Sequence, residues 1–264
     1  MVTAAGTLAA SAERIPNSTA VEWGSERWSY RELHQRAQVL AAALRAEGVG
    51  KGTCVGISLA HTPEHLALVY GVMLTGGFFV EVQRGWPAGE TARYLGSCGA
   101  EFLVVHQLRS GLPGVRQLVV DELMVFSGHS KAPSIERTDA CVLSNSSGSS
   151  GAPKGALHTH EILQRRVQEW VELLSFQADD RIYVAPALNF TGGRHFALAA
   201  HAVGATAVLR DERLGPKAFL EEITRRDCTW TYYIPVWLRG LLSAVSAREL
   251  IFPTLRGLFS CADA

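Results

Sequence analysis

Cys141-Val142-Leu143-Ser144-Asn145-Ser146-Ser147-Gly148-Ser149-Ser150-Gly151-Ala152-Pro153-Lys154-Gly155 is compositionally unlike the rest of the chain. An apolar strand, Cys141 to Ser144, runs into a serine- and glycine-rich loop, and the pattern predicts a helix from near His160. Glycine lets a backbone approach an anion closely and adopt positive φ. Backbone N–H groups and five serine hydroxyls can donate to phosphate oxygens, and Lys154 adds a mobile positive charge. A strand–loop–helix of this composition is a candidate triphosphate cradle. The same residues also read as a flexible linker or a cloning scar, although a linker needs neither an apolar strand before it nor Pro-Lys-Gly after it. An ordinary P-loop does not fit, because Lys154 is preceded by Pro153 and followed by Gly155. Composition alone leaves cradle and linker open.

Outward from this loop, helices and strands alternate. Ser29 and Glu32 have capping-box spacing, with Trp28 and Leu33 placed as a hydrophobic staple. Leu33, Ala37, Leu40, Ala41 and Leu44 follow helical spacing, and Gly48 supplies the stop. A strand from Cys54 to Leu59 leads to a second helix opened by Thr62-Pro63, with Leu66, Val69, Tyr70 and Met73 as its apolar face. After Gly76-Gly77 comes a strand from Phe78 to Val82. Further strands are predicted at Cys141 to Ser144, Ile182 to Ala185, Ala205 to Leu209, Thr229 to Ile234 and Leu258 to Ser260, and helices near 160–174, 193–203, 216–226 and 236–246. Alternation of this kind predicts an α/β fold, with mainly parallel sheets and flanking helices in two lobes. The polar stretch SGHSKAPSIERT suggests a connection over 127–138, between a first lobe at 1–126 and a second at 139–264.

The 264 residues are 47% apolar and 19% charged, which argues for a packed core and against disorder. The 25 Lys+Arg balance the 25 Asp+Glu, so no global charge favours nucleic acid or an anionic membrane. Five dispersed cysteines without a CxxC pair read as reduced thiols. With no signal peptide and no membrane span visible in the sequence, a soluble cytoplasmic protein is expected.

The run SSGSSGAPKG (146–155) resembles the signature [ST]-S-G-[ST]-T-G-x-P-K-G of the adenylate-forming superfamily of acyl-CoA synthetases, peptide-synthetase adenylation domains and firefly luciferase. Ser150 stands where threonine is usual, an exchange that keeps the hydroxyl. WSYRELHQRA (28–37) and YGVMLTGGFFVEVQRGWPAGETARYL (70–95) are similar to earlier family motifs. DDRIYVAPALNFTGG (179–193), AVGATAVL (202–209) and TWTYYIPVWLRGLL (229–242) resemble the acyl-pocket segment, the next strand, and the strand and helix that close the pocket. The resemblance implies activation of a small carboxylic acid by ATP with Mg²⁺, then transfer to the thiol of CoA or a carrier protein. It places the β- and γ-phosphates on Ser146, Ser147, Gly148, Ser149, Ser150, Gly151 and Lys154. It places the acid among Asn189, Phe190, Gly192, Gly193, Tyr233 and Trp237, and the start of the adenine wall at Cys261, Ala262 and Asp263. Asn189 stands where many acyl-CoA synthetases have histidine, and Cys261-Ala262 where Gly-Gly is usual.

After LRGLFSCADA the sequence has no counterpart of the family's aromatic-Gly-x-Thr-Glu segment, ribose-binding aspartate, hinge or C-terminal lysine. The expectation is therefore the N-terminal half of such a ligase, truncated, without catalytic residues of its own and inactive alone. A missing C-terminal half or a carrier protein would be its partner. The alternative is a non-catalytic remnant that binds a nucleotide or a partner chain. Gly192 and Gly193 leave room for an acid or cap the next helix, and Tyr232, Tyr233 and Trp237 line a cavity or fill the core. His61 and His65 have the i, i+4 spacing of helical metal ligands but no third partner, so they are expected as a surface pair. His158-Thr159-His160 is expected as a loop entering a helix. The pairs Asp179-Asp180 and Glu221-Glu222 are expected to be solvated.

Overall fold

The computed structural model describes residues 3–146, 154–214, 216–244 and 252–260. In chain order its elements are α1 (Ala4–Arg14), β1 (Thr19–Trp23), β2 (Glu26–Ser29), α2 (Tyr30–Ala46), β3 (Cys54–Ser58), α3 (Pro63–Met73), β4 (Phe78–Glu81), α4 (Ala88–Ser97), β5 (Ala100–Val105), β6 (Arg116–Val119) and α5 (Val120–Met124). There follow β7 (Ala140–Ser146), β8 (Lys154–Thr159), α6 (His160–Leu174), β9 (Arg181–Val184), α7 (Thr191–Val203), β10 (Thr206–Leu209), α8 (Pro216–Arg225), β11 (Trp230–Tyr233), α9 (Pro235–Ala244) and β12 (Gly257–Ser260). None of the described helices is long and apolar enough to cross a membrane.

Local sequence explains the strongest of these elements. α2 starts directly after Ser29, buries Leu33, Ala37, Leu40, Ala41 and Leu44, and stops before Gly48, whose φ of +102° disfavours any side chain. α3 starts at Pro63, and its burial runs all round from Leu66 to Met73 rather than along one face. β3 is buried at every position, as a central parallel strand must be.

The chain forms two compact units. The described residues of Met1–Ala10, Glu32–Ala60 and Glu64–Arg166 form the first, and those of Ser11–Arg31, His61–Pro63 and Val167–Ala264 the second. The first holds a six-stranded sheet in the order β6-β5-β3-β4-β7-β8, parallel except for the β7–β8 pair. The second holds a six-stranded sheet in the order β12-β11-β9-β10-β1-β2, parallel except for β1–β2. The fold is thus α/β with two mainly parallel sheets, but the division is not sequential. Residues 127–138 do not separate the lobes, because β7 pairs with β4 of the first sheet, Phe79 opposite Val142. Conversely, β1 and β2 join the second sheet through Val21 opposite Ala207.

Charges expected in solvent are buried in the second unit. Asp180 accepts from the Thr229 hydroxyl at 2.7 Å and from Arg256 at 3.0 Å. Glu222 accepts from the Tyr183 hydroxyl at 2.8 Å and from Arg226 Nε at 2.9 Å. Arg226 also meets Glu22 at 3.2 Å, and Arg181 donates to Glu22 at 2.8 Å. The side chains of Arg226, Glu22 and Glu222 are 5%, 2% and 4% exposed. Burial alone would raise the Glu22 carboxyl pKa. The hydrogen bond and charge of Arg181, with the charges of Arg27 and Arg226, outweigh burial and hold it below the ordinary carboxylate range. Removing one member of such a cluster leaves an uncompensated charge, so Arg226→Ala is expected to lower unfolding free energy by about 3 kcal/mol in urea titration.

Two buried histidines set a pH dependence. Burial pushes His201 down to about 4, even though its Nε2 lies 3.1 Å from the Ala20 carbonyl oxygen. Burial does the same to His160, also to about 4, against the opposing pull of Asp139. Both are neutral in the folded chain, while the unfolded chain takes up their protons below about 6.5. Stability is therefore fully present above pH about 6.5 and falls toward pH 4, each histidine contributing about 1 kcal/mol per pH unit. Urea midpoints measured over that range should fall, and His201→Gln should flatten the slope.

Candidate functional site

The serine–glycine loop sits on a β-hairpin rather than on a strand–loop–helix. β7 and β8 pair antiparallel from Ala140 opposite Thr159 to Ser146 opposite Lys154. His158 and Thr159 accordingly belong to a strand, and the helix begins at His160. β8 escapes the periodicity reading because Gly155, Ala156 and Leu157 are all exposed on an edge strand. The backbones of Ser146 and Lys154 are register partners, so they bring both ends of the loop together. Ser147, Gly148, Ser149, Ser150 and Gly151 lie outside the described residues, as do the side chains of Ser146 and Lys154.

The other end of the hairpin is braced. Asp139 accepts from Lys51 Nζ at 2.8 Å and from the Glu136 N–H at 2.8 Å. Partial burial pushes the Asp139 carboxyl up, but the Lys51 hydrogen bond and charge outweigh it and hold the group below the usual range. Arg137 pairs with Glu161 at 2.6 Å. Cys54, Cys141 and Cys228 are buried free thiols, and burial pushes Cys54 and Cys228 up to about 12, so neither is a thiolate near neutral pH.

The candidate acyl segment follows β9 in the second unit, and its backbone is fixed by groups distant in sequence. The Leu188 N–H donates to His61 Nδ1 at 3.1 Å, which leaves Nε2 as the protonated nitrogen that donates to the Val184 carbonyl at 2.9 Å. Arg210 Nε donates to the Ala185 carbonyl at 2.8 Å, and Arg194 to that of Leu188 at 3.3 Å. A Cβ on Gly193 would lie 2.3 Å from the Pro186 carbonyl oxygen, so only glycine lets the first turn of α7 pack this closely. The clamped turn delivers Asn189, half-buried, and Phe190, 52% exposed, to the unit's surface.

The aromatic candidates separate. Gly192 abuts the Tyr232 ring, where a Cβ would come within 2.5 Å, and Tyr232 stacks on Phe196 at 5.0 Å. Tyr233 instead packs into a core cluster with Tyr183, Val208 and Ile223. The Trp237 side chain and residues Cys261, Ala262 and Asp263 lie outside the described residues. His61 and His65 are 2% and 1% exposed, not a surface pair. His65 is bound to Glu81 at 3.1 Å and faces the Ala60 carbonyl at 3.1 Å. Sequence reasoning missed His61 as a clamp because its partners lie 123 and 127 residues away. His61→Ala leaves the Leu188 N–H unmatched and removes one of two donors from the Val184 C=O, which keeps the Arg210 N–H at 3.3 Å. It is expected to cost about 2 kcal/mol in urea titration and to speed hydrogen exchange at the Leu188 amide.

The AMP-binding enzyme family matches residues 8–264, and the chain belongs to that family. Gramicidin S synthase 2 of Brevibacillus brevis is 29% identical over 194 residues, which cover 72% of this chain and 4% of the synthase. Tyrocidine synthase 3 of Brevibacillus parabrevis is 27% identical over 248 residues, covering 90% of this chain and 4% of that protein. The chain thus spans a small part of these two relatives. The Klebsiella oxytoca NpsA N-terminal subdomain in complex with 3-hydroxybenzoyl-AMSN has a TM-score of 0.88 at 22% identity, over 100% of this chain and 67% of that one. O-succinylbenzoate coenzyme A synthetase (MenE) from Bacillus subtilis in complex with AMP has a TM-score of 0.87 at 22% identity, over 97% and 67%. At these identities the structural likeness establishes the fold.

Proposed function

We propose that this member of the AMP-binding enzyme family is the N-terminal portion of a ligase that activates a carboxylic acid with ATP. The carboxylate oxygen attacks the α-phosphorus of MgATP in line, an acyl–O–P bond forms, the Pα–O–Pβ bond breaks, and pyrophosphate leaves. The acyl-adenylate then passes to the thiol of CoA or of a carrier protein. Ser146 to Gly151 and Lys154 hold the β- and γ-phosphates through backbone N–H groups, hydroxyls and one ammonium. Asn189, Phe190, Gly192 and Gly193, together with Trp237 and Tyr233, border the acid, and Cys261 to Asp263 begin the adenine wall.

The observation that carries this reading is the register of Ser146 against Lys154, which brings the two ends of the serine–glycine run together, as a linker between domains would not require. Support also comes from the fold neighbours, which are complexes with AMP and with a 3-hydroxybenzoyl-AMSN ligand. The clamped turn before Asn189 supplies the rigid backbone that positioning a reacting carboxylate requires. The 264-residue chain is proposed to bind the phosphates yet not to turn over unaided.

Calorimetry and carboxylate-dependent ATP–pyrophosphate exchange test these points together. The chain should bind tripolyphosphate with an affinity that falls as salt is raised, and Ser147→Ala/Lys154→Ala should abolish that binding. Exchange should be at background for the 264 residues alone and acid-dependent in a longer polypeptide that carries them. Equal binding by wild type and the double variant would refute the phosphate role, and nucleotide binding without exchange in the longer polypeptide would favour the non-catalytic reading.

A further inference from the structure

A cavity of about 660 Å³ opens in the second unit, between the end of α8 and the β1–β2 turn. Arg27, Arg181, Arg225 and Arg226 line it together with the carboxylates of Glu22 and Asp227, and its remaining walls are a threonine, a serine and a glycine. No apolar side chain among the described residues contributes to that lining. It is separate in sequence from the serine–glycine loop, and of its lining only Arg181, at the start of β9, falls within 179–193.

The four guanidiniums are not equally engaged. Arg226 is held by Glu22, by Glu222 and by the Gly24 carbonyl. Arg181 binds Glu22 through Nη2 and the Arg226 carbonyl through Nε. Arg27 uses only Nε, toward Glu22 at 3.2 Å, and Arg225 only Nη2, toward Glu222 at 3.3 Å. Both Nη atoms of Arg27, and Nε and Nη1 of Arg225, have no partner among the described residues. The side chains of Arg27 and Arg225 are 71% and 67% exposed. Four cations against Glu22, Glu222 and Asp227 leave one positive charge uncompensated.

We infer that this cavity is a second anion site that takes a small phosphorylated polar molecule, its phosphoryl group held between Arg27 and Arg225. Planar guanidinium forks match the oxygens of a phosphoryl group, and the buried Arg226 and half-buried Arg181 fix the floor beneath them. The volume falls in the roughly 300–1,000 Å³ range of small-molecule sites, which leaves room for a body beyond the phosphoryl group. Walls without apolar side chains select hydroxyl-bearing bodies over acyl chains or aromatic rings. The threonine and serine hydroxyls and the Asp227 carboxylate are their hydrogen-bonding partners.

The test is calorimetric titration of the chain carrying Lys154→Ala, which silences the loop, with glycerol 3-phosphate, inorganic phosphate and glycerol. Saturable binding of glycerol 3-phosphate, weaker binding of inorganic phosphate and none of glycerol are expected. Arg27→Gln/Arg225→Gln should weaken the ester by about tenfold or more, the loss of at least one charge-assisted hydrogen bond. The melting temperature should fall only slightly, because both side chains are exposed and Glu22 and Glu222 each keep the buried Arg226. If the double variant melts early, Arg27→Gln alone carries the same criterion. Absence of saturable ester binding, or affinity unchanged by the arginine substitutions, overturns the site. Equal affinity for inorganic phosphate and the ester overturns the assignment of a phosphorylated molecule.

Discussion

A carboxylate taken out of water must find its cations inside the protein, and Glu22 is where that requirement organises the second unit. Its two oxygens meet Arg27, Arg181 and Arg226, which come from β2, from the first position of β9 and from the turn after α8. The constraint acts across 204 residues between Glu22 and Arg226. It coincides with the parallel pairing of β1 and β10, with the Thr206 hydroxyl on the Thr19 carbonyl and with the Tyr30 hydroxyl on the Ala205 carbonyl. Closing so long a loop costs conformational entropy that grows only slowly with length. A few buried contacts of good geometry offset it, and the seam between β1 and β10 is where they concentrate.

The same constraint explains what the sequence conveyed and what it concealed. α2 and α3 were legible because periodicity, Pro63 and Gly48 are local signals. β3 and β4 were legible because they are short apolar runs flanked by glycine. β1 and β2 were not, since TAVEW buries a glutamate among its apolar residues and ERWS is half exposed, on strands whose stability comes from a distant partner. Asp180 and Glu222 read as solvated for a related reason. A carboxylate pair carries no local sign of the guanidinium that will cover it, and the Arg226 that covers Glu222 also answers to Glu22. The sequential division at 127–138 failed because polar composition marks a loop, not which sheet the next strand will join.

For the candidate site, the serine–glycine run read by composition as a phosphate cradle or a linker, and the glycines at 192 and 193 as room for an acid or a cap of the next helix. The structure adds which contact each glycine serves. Gly193 lets α7 meet the Pro186 and Ala187 carbonyls, whereas Gly192 makes room for the Tyr232 ring. His61 shows the limit of pattern reading most clearly. Its spacing to His65 read as a surface pair, yet its two nitrogens clamp a backbone turn more than a hundred residues downstream. Spacing along a helix reports only neighbours on that helix.

The interleaved path also has a consequence for synthesis on the ribosome. The contact between Thr19 and Thr206 joins residues 187 positions apart. At roughly 5–20 residues per second, the β1–β2 hairpin waits roughly 10–40 s after emerging before β10 exists to receive it. Over that interval the first sheet can be completed, since its last strand, β8, ends at Thr159. The nascent chain therefore carries a finished sheet and an unpaired hairpin together, with Val21 uncovered and Glu22 still in water. That interval is the window in which a chaperone, or a second nascent copy offering its own β10, has access to the edge that the mature fold closes.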